Sequence, residues 1–389
     1  MCKLNEDYLF QLIPKDYIYL TTTKTIIFQG MELKTDYLIN IIHEFSLKYT
    51  LTNELCSNIC STILRKKYGK FYNYYISYLL EKKFIFLISN YYAGKKSRTY
   101  KINDTNIIFT KCKIYDKFLL KKHKKDFLVE NFTQSKDSPI KEEIRKKLVD
   151  DLYHVQIDYN KSCDWLNNEK ECDRIDLQKY FMNLMSIESI HGSYLYYQFD
   201  SYGRLHTNFT NLKKYIRNNY LTIDNKQLSE YDIKNSQPFF LGIFIKKTMG
   251  QNITDNMKYY FDVVKNGLIY DMILDKHPEL YKTRDEVKVM IYKVIFGKNI
   301  DNKIESKIFK GIFPDIYKFM KEYKKDNYKE LSHKLQRLES DFIFGNIISK
   351  IHEKFPNIRL FTVHDSIIFP TEYKEEVGLI FRNYLKDIL

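Results

Sequence analysis

Arg359-Leu360-Phe361-Thr362-Val363-His364-Asp365-Ser366-Ile367-Ile368-Phe369 is a pair of apolar, β-prone runs that meet at a short polar turn. Such runs around so short a break predict a β-hairpin, and the turn carries Asp365 out at the sheet edge. A carboxylate there suits a hard cation, because magnesium takes one or two carboxylates and fills its remaining positions with water and phosphate oxygens. An ordinary surface turn has the same local pattern. A second acid of this kind, Asp232, lies in Leu228-Ser229-Glu230-Tyr231-Asp232-Ile233-Lys234-Asn235-Ser236-Gln237-Pro238, where a short strand gives way to the apolar run Phe239 to Ile245. Read alone, Asp232 also fits a strand-end cap. The two acids share metal ions only if their strands are neighbours in one sheet.

Between them, Thr283-Arg284-Asp285-Glu286 has the form of a capping box and predicts a helix starting at Arg284. Arg284, Lys288 and Tyr292 then fall on one face, four residues apart. Two cations followed by an aromatic ring make a ridge that suits a triphosphate along its charged part and a base or sugar on Tyr292. The same spacing also describes a solvated face with a half-buried tyrosine. Phe296-Gly297 closes the helix, with Gly297 as its breaker.

Taken as a set, residues 203 to 365 resemble the palm and fingers of the family A DNA polymerases and the related single-subunit RNA polymerases of the phage and mitochondrial type. Gly203-Arg204-Leu205 with Asn211-Leu212 and Ile216 is similar to the family's GRL…NL…I stretch. Asp232 stands at the first metal-binding aspartate. Arg284-x3-Lys288-x3-Tyr292-x3-Phe296-Gly297 matches the spacing of R-x3-K-x3-[FY]-x3-Y-G, Gln336-x4-Asp341 resembles the Q-x4-D helix, and Val363-His364-Asp365 resembles the VHD hairpin. The resemblance covers about half the chain. It implies two Mg²⁺ ions, with Mn²⁺ as the substitute, held by Asp232 and Asp365. It further implies nucleotide contacts from Arg284, Lys288, Tyr292, Phe296 and Gln237, and primer–template contacts from Arg204, Gln336 and His364, with Lys288 also donating a proton to pyrophosphate.

Three positions depart from the pattern. Gln237 replaces the glutamate that excludes a ribose 2′-hydroxyl in the DNA polymerases, and Phe296 replaces the usual tyrosine. Ser366, after the HD pair, is the residue of the RNA-polymerase branch. The bulk of Gln237 favours deoxynucleotides, so the expected activity is that of a small DNA polymerase using DNA template, primer and nucleoside triphosphates. A single-subunit RNA polymerase or primase is the alternative, and a non-catalytic winged-helix initiator the competing class.

The expected fold is α+β, a right-hand polymerase with an antiparallel-sheet palm and helical fingers behind a helical, winged-helix-like N-terminal domain. Expected domains are 1–110 winged-helix-like, 111–200 helical connector with a thumb-like element, and 201–389 palm and fingers, the fingers at about 240–330. In the first of these, helices around Thr52–Tyr68 and Phe71–Lys82 precede strands Phe84–Ser89 and Arg98–Ile102. The basic turn Gly94-Lys95-Lys96-Ser97-Arg98 then stands as a wing tip where phosphates pass. A small packing module with a charged hairpin gives the same order. The N-terminal 150 residues offer no four-carboxylate set for a proofreading nuclease.

The 389 residues carry 63 Lys and Arg against 49 Asp and Glu, and the net charge of +14 favours polyanionic partners. With 34 Tyr and 27 Phe, the chain is too rich in core-forming residues for a disordered one. Its six cysteines form neither a CxxC pair nor a zinc pattern, which fits a reducing compartment. No stretch approaches the roughly 18 apolar residues a bilayer span needs. The expectation is a soluble cytoplasmic monomer, plasmid- or virus-encoded, with an organelle as the alternative and no membrane partner.

Overall fold

Leu38, Ile41, Ile42 and Phe45 recur at the spacing that puts side chains on one helix face, and all four are buried in helix α1, Thr35–Thr52. The computed structural model describes residues 9–52, 56–59, 61–90, 98–103, 109–121, 142–192, 195 and 197–388. The described residues are mixed helix and antiparallel sheet, as expected for an α+β chain. No described helix is long and apolar enough to cross a membrane.

The chain divides into two compact units, each assembled from separate stretches: residues 1–130, 157–195 and 211–220 form the first, and 131–156, 196–210 and 221–389 the second. In the first unit, strands β1 (Leu9–Pro14), β2 (Thr25–Phe28) and β3 (Met31–Lys34) precede α1. After α1 come β4 (Cys56–Ile59), α2 (Ser61–Tyr68), α3 (Tyr72–Glu81), β5 (Ile85–Ser89) and β6 (Arg98–Ile102). The helix expected over Thr52–Tyr68 is therefore two elements. Cys56 to Ile59 pair with Lys101 to Arg98, and those ladder bonds outweigh the indifferent helix preference of Ser57, Asn58 and Ile59. The resulting sheet has the order β4-β6-β5. Gly69 turns α2 into α3 with φ +81°, a conformation glycine adopts without a Cβ clash. Strand β7 (Phe109–Ile114) pairs antiparallel with β1. Lys95 and Lys96 lie outside the described residues, as do Ser138-Pro139 and most of the basic run at 121–125.

The second unit contains α4 (Glu142–Leu152) and the strands β8 (Val155–Ile157), β9 (Tyr197–Phe199), β10 (Leu205–Thr207), β11 (Leu221–Ile223) and β12 (Lys226–Tyr231). Beyond the long helical insertion lie β13 (Phe361–Val363) and β14 (Ser366–Pro370), and the main sheet runs β13-β14-β12-β11-β8. Asp224 and Asn225, with φ of +50° and +63°, form the tight loop between β11 and β12, as two-residue hairpins require. The insertion opens with α5 (Ser236–Met249), whose residues 236 to 245 are all buried. A helix apolar all round belongs inside a core. Around it pack α6 (Asp255–Lys265), α7 (Ile269–Lys276), α8 (Arg284–Phe296), α9 (Ile304–Ile312), α10 (Pro314–Tyr323) and α11 (Lys329–Ser340). The π-helix Asp341–Ile348 continues α11.

Candidate active site

Strands β12 and β14 are direct antiparallel neighbours, with Tyr231 opposite Ile367. Asp232 follows Tyr231 by one residue, and Asp365 precedes Ser366 in the two-residue loop where Val363 faces Ser366. The register therefore brings two acids, remote in sequence, to one end of the sheet. Hydrogen-bonding influence from the Asp232 and Ser236 side chains favours the ionised form of the Asp365 carboxyl. Burial first, and then the Glu339 carboxylate, push Asp365 up to about 6 against those hydrogen bonds. Neighbouring acids resist joint ionisation unless a positive charge intervenes. A divalent cation supplies that charge, so the pair fits the metal that the resemblance implies. Among the described residues no group of three or more His, Cys, Asp or Glu side chains is arranged to hold a metal ion.

Glu339 was not among the residues singled out from sequence, and it organises the floor of this site. Only 2% exposed, it accepts through Oε1 from Arg204 Nε at 2.8 Å and Nη2 at 2.5 Å. Its Oε2 accepts from Ser236 Oγ at 2.7 Å and Gln237 Nε2 at 2.5 Å. A signal for it existed: Leu331, Leu335 and Glu339 recur every four residues on the buried face of α11, and an acid at a core position needs partners. Gln237 is 5% exposed. With its amide nitrogen committed to Glu339, its Oε1 is buried without a hydrogen bond.

Helix α8 begins at Arg284 with the expected capping box, Thr283 and Glu286 bonding each other's backbone N–H. Its C-terminal glycine acts by a different device from the one expected. Gly297 has φ −75°, well away from the left-handed region, and is required because a Cβ there would meet Lys293 O at 2.3 Å. Along the exposed ridge, Arg284 Nε is 3.3 Å from Asp271 Oδ1 and its guanidinium lies 5.3 Å from the Tyr270 ring centre. Lys288 Nζ is 5.8 Å from the ring centre of Tyr292. Burial above all raises the Tyr292 hydroxyl pKa, Tyr270 opposing it most, and the charges of Asp365 and Glu339 add to the rise. Burial first, and then Tyr292, raise the Tyr270 hydroxyl, with Asp365 adding the smallest share.

Asp232, Asp365, Arg204, Gln237 and Tyr292 are thus joined through direct contacts or mutual charge, and Arg284 and Lys288 adjoin them through Tyr270 and Tyr292. His364 sits beside Asp365 with φ +56°, a backbone conformation uncommon outside glycine, and its ring lies 6.3 Å from that of His206. Phe296 packs edge-on to Tyr292 at 5.5 Å, one turn further along. Gln336 is half-buried on α11, one turn before Glu339. Asp341 opens the π-helix, and burial raises its pKa against the charges of Lys334, Arg337 and Lys247. Arg98 is exposed at the start of β6, in the first unit.

Comparison of the chain with protein-family models, curated proteins and solved structures finds no match.

Proposed function

We propose that the second unit is a template-dependent nucleotidyltransferase that extends a primer with deoxynucleoside triphosphates. The strand register that sets Asp232 and Asp365 at one end of adjacent strands β12 and β14, together with the Arg284–Lys288–Tyr292 ridge of α8, carries this reading. Asp232 and Asp365 are the side chains that would hold a pair of Mg²⁺ or Mn²⁺ ions. Such ions, when bound, lower the pKa of the attacking hydroxyl and neutralise the leaving pyrophosphate.

The remaining work falls to positioning and charge. Arg284 and Lys288 bind the β- and γ-phosphates, and Lys288 Nζ delivers a proton to the departing pyrophosphate. Tyr292 packs on the incoming nucleotide and Phe296 supports its ring. Gln237, held against Glu339, crowds the position of a ribose 2′-hydroxyl. Arg204 and Gln336 hold the primer terminus, and His364 orients the loop. Ser366 keeps synthesis of RNA, by an RNA polymerase or primase, as the second reading.

In the first unit, the chain order α1-β4-α2-α3-β5-β6 with the sheet order β4-β6-β5 supports a winged-helix module for duplex DNA, with Arg98 exposed at the start of β6. An origin- or promoter-directed replication enzyme of a plasmid or virus combines these two parts. Primer extension by Asp232→Ala and Asp365→Ala, with labelled dNTPs and rNTPs in parallel, tests the assignment. Both variants lose extension, and activity surviving either removes the two-carboxylate mechanism.

A further inference from the structure

The turn Asp200-Ser201-Tyr202-Gly203-Arg204 joins β9 to β10 and is braced from within. Asp200 Oδ1 accepts from the backbone N–H of Tyr202 and of Arg204, both at 2.9 Å, and Asp200 Oδ2 lies 2.9 Å from His206 Nε2. Gly203 supplies the positive φ, +88°, and its N–H reaches Asp200 O at 3.0 Å. Both large side chains of the turn consequently have set directions. Arg204 goes to Glu339. Tyr202 stacks on His333, with ring centres 4.6 Å apart and planes at 25°, and the Arg337 guanidinium lies 5.9 Å from the same ring centre.

His333 and Arg337 are one turn apart on the same face of α11. At the other end of the hairpin, His206 approaches His364, the neighbour of Asp365. Rings therefore flank the Asp200 turn on both sides, His206 and His364 towards Asp365, and Tyr202, His333 and the Arg337 guanidinium on α11. The acids beside them are already engaged, Asp200 by His206 and the turn, Glu339 by Arg204, Ser236 and Gln237. Arg337 is exposed. Planar rings that offer faces and edges to sugars and bases, beside a guanidinium shaped for phosphate, make up the chemistry of strand binding.

We propose that Tyr202, His333 and Arg337 form a strand-binding strip that grips the phosphodiester backbone of a nucleic-acid duplex whose primer end lies at Arg204. The placement of that end rests on the nucleotidyltransferase reading, whereas the binding does not. Stacking on His333 fixes Tyr202, and the ring of Tyr202 in turn holds the Arg337 guanidinium over the surface, so that little side-chain freedom is lost when a strand arrives.

The experiment is fluorescence anisotropy of the full chain with a labelled hairpin primer–template DNA, in EDTA and without nucleotide. Tyr202→Ala and Arg337→Gln each weaken binding about tenfold. Tyr202→Phe, which keeps the stack, stays within about twofold of the parent. Arg337→Gln also lowers the slope of log K against log salt by about 0.9, the signature of one lost phosphate contact. Thermal melting of each variant checks that folding is intact. Unchanged affinity and slope in both variants overturn the strip, as does displacement of the DNA by polyglutamate at equal charge concentration. A protein that binds through the strip yet incorporates no nucleotide refutes the enzymatic reading alone. Extension with binding indifferent to Tyr202 and Arg337 refutes the strip alone.

Discussion

Arg204 and Glu339, 135 positions apart in the chain, form an ion pair with N–O distances of 2.8 and 2.5 Å. The carboxylate is almost wholly buried and the guanidinium mostly so. Breaking one member of such a pair leaves an uncompensated charge, whereas replacing both with apolar groups is tolerated. Glu339→Gln is expected to cost about 3 kcal/mol in urea unfolding, and Arg204→Met with Glu339→Leu recovers most of that loss. Equal destabilisation of the single and double variants rejects the ion-pair account.

Asp271 holds Arg284 at 3.3 Å while both remain about half exposed. An exposed pair contributes little to stability, so Asp271→Asn leaves the melting temperature near that of the parent. Under the nucleotidyltransferase proposal it frees the guanidinium for phosphate, and KM for the incoming triphosphate is expected to fall roughly threefold, the equivalent of about 0.7 kcal/mol. A raised KM in steady-state kinetics contradicts this competition.

Burial pushes Asp151, on α4, up to about 6 against a hydrogen bond from Leu360 N–H and the charges of Lys147 and Arg359. The folded chain thus binds this proton more tightly than the unfolded one. The associated stability is present below about pH 4, near the unfolded value, and is lost as pH rises through about 6. Asp151→Asn retains an acceptor for Leu360 and imitates the protonated acid. The variant is expected to be more stable than the parent at pH 7 by on the order of 2 kcal/mol, and equal to it at pH 4. Denaturant melts at the two pH values decide the matter.

Two glycines give opposite expectations. Gly297→Ala drives a Cβ against Lys293 O, and its relief displaces the end of α8, at a cost of about 2 kcal/mol. Gly311, inside α9, has open space where its Cβ would stand. Gly311→Ala stabilises by about 0.7 kcal/mol through reduced freedom of the unfolded chain. Thermal melts that move both variants in one direction refute the distinction.

Legibility from sequence followed the range of the forces involved. Helix α8 was readable to its first residue, because a capping box is a contact among near neighbours. The hairpin at Asp365 was readable because β-propensity and turn polarity alternate locally. The split between α1, β4 and α2 was not, since Cys56 to Ile59 become a strand only by pairing with residues some 40 positions later. Glu339 was overlooked for a related reason: its partners Arg204, Ser236 and Gln237 lie more than 100 positions away. The pairing of β12 with β14 was likewise a condition that the two aspartates required and the chain could not state.

The loop between β13 and β14 has only two residues, His364 and Asp365, and such a span has no slack. Sliding β14 past β12 by a single step displaces everything after the loop by about 3.4 Å and inverts which surface each side chain faces. Lesions in this ladder, including ones distant from either aspartate, should therefore silence the protein outright rather than slow it by degrees.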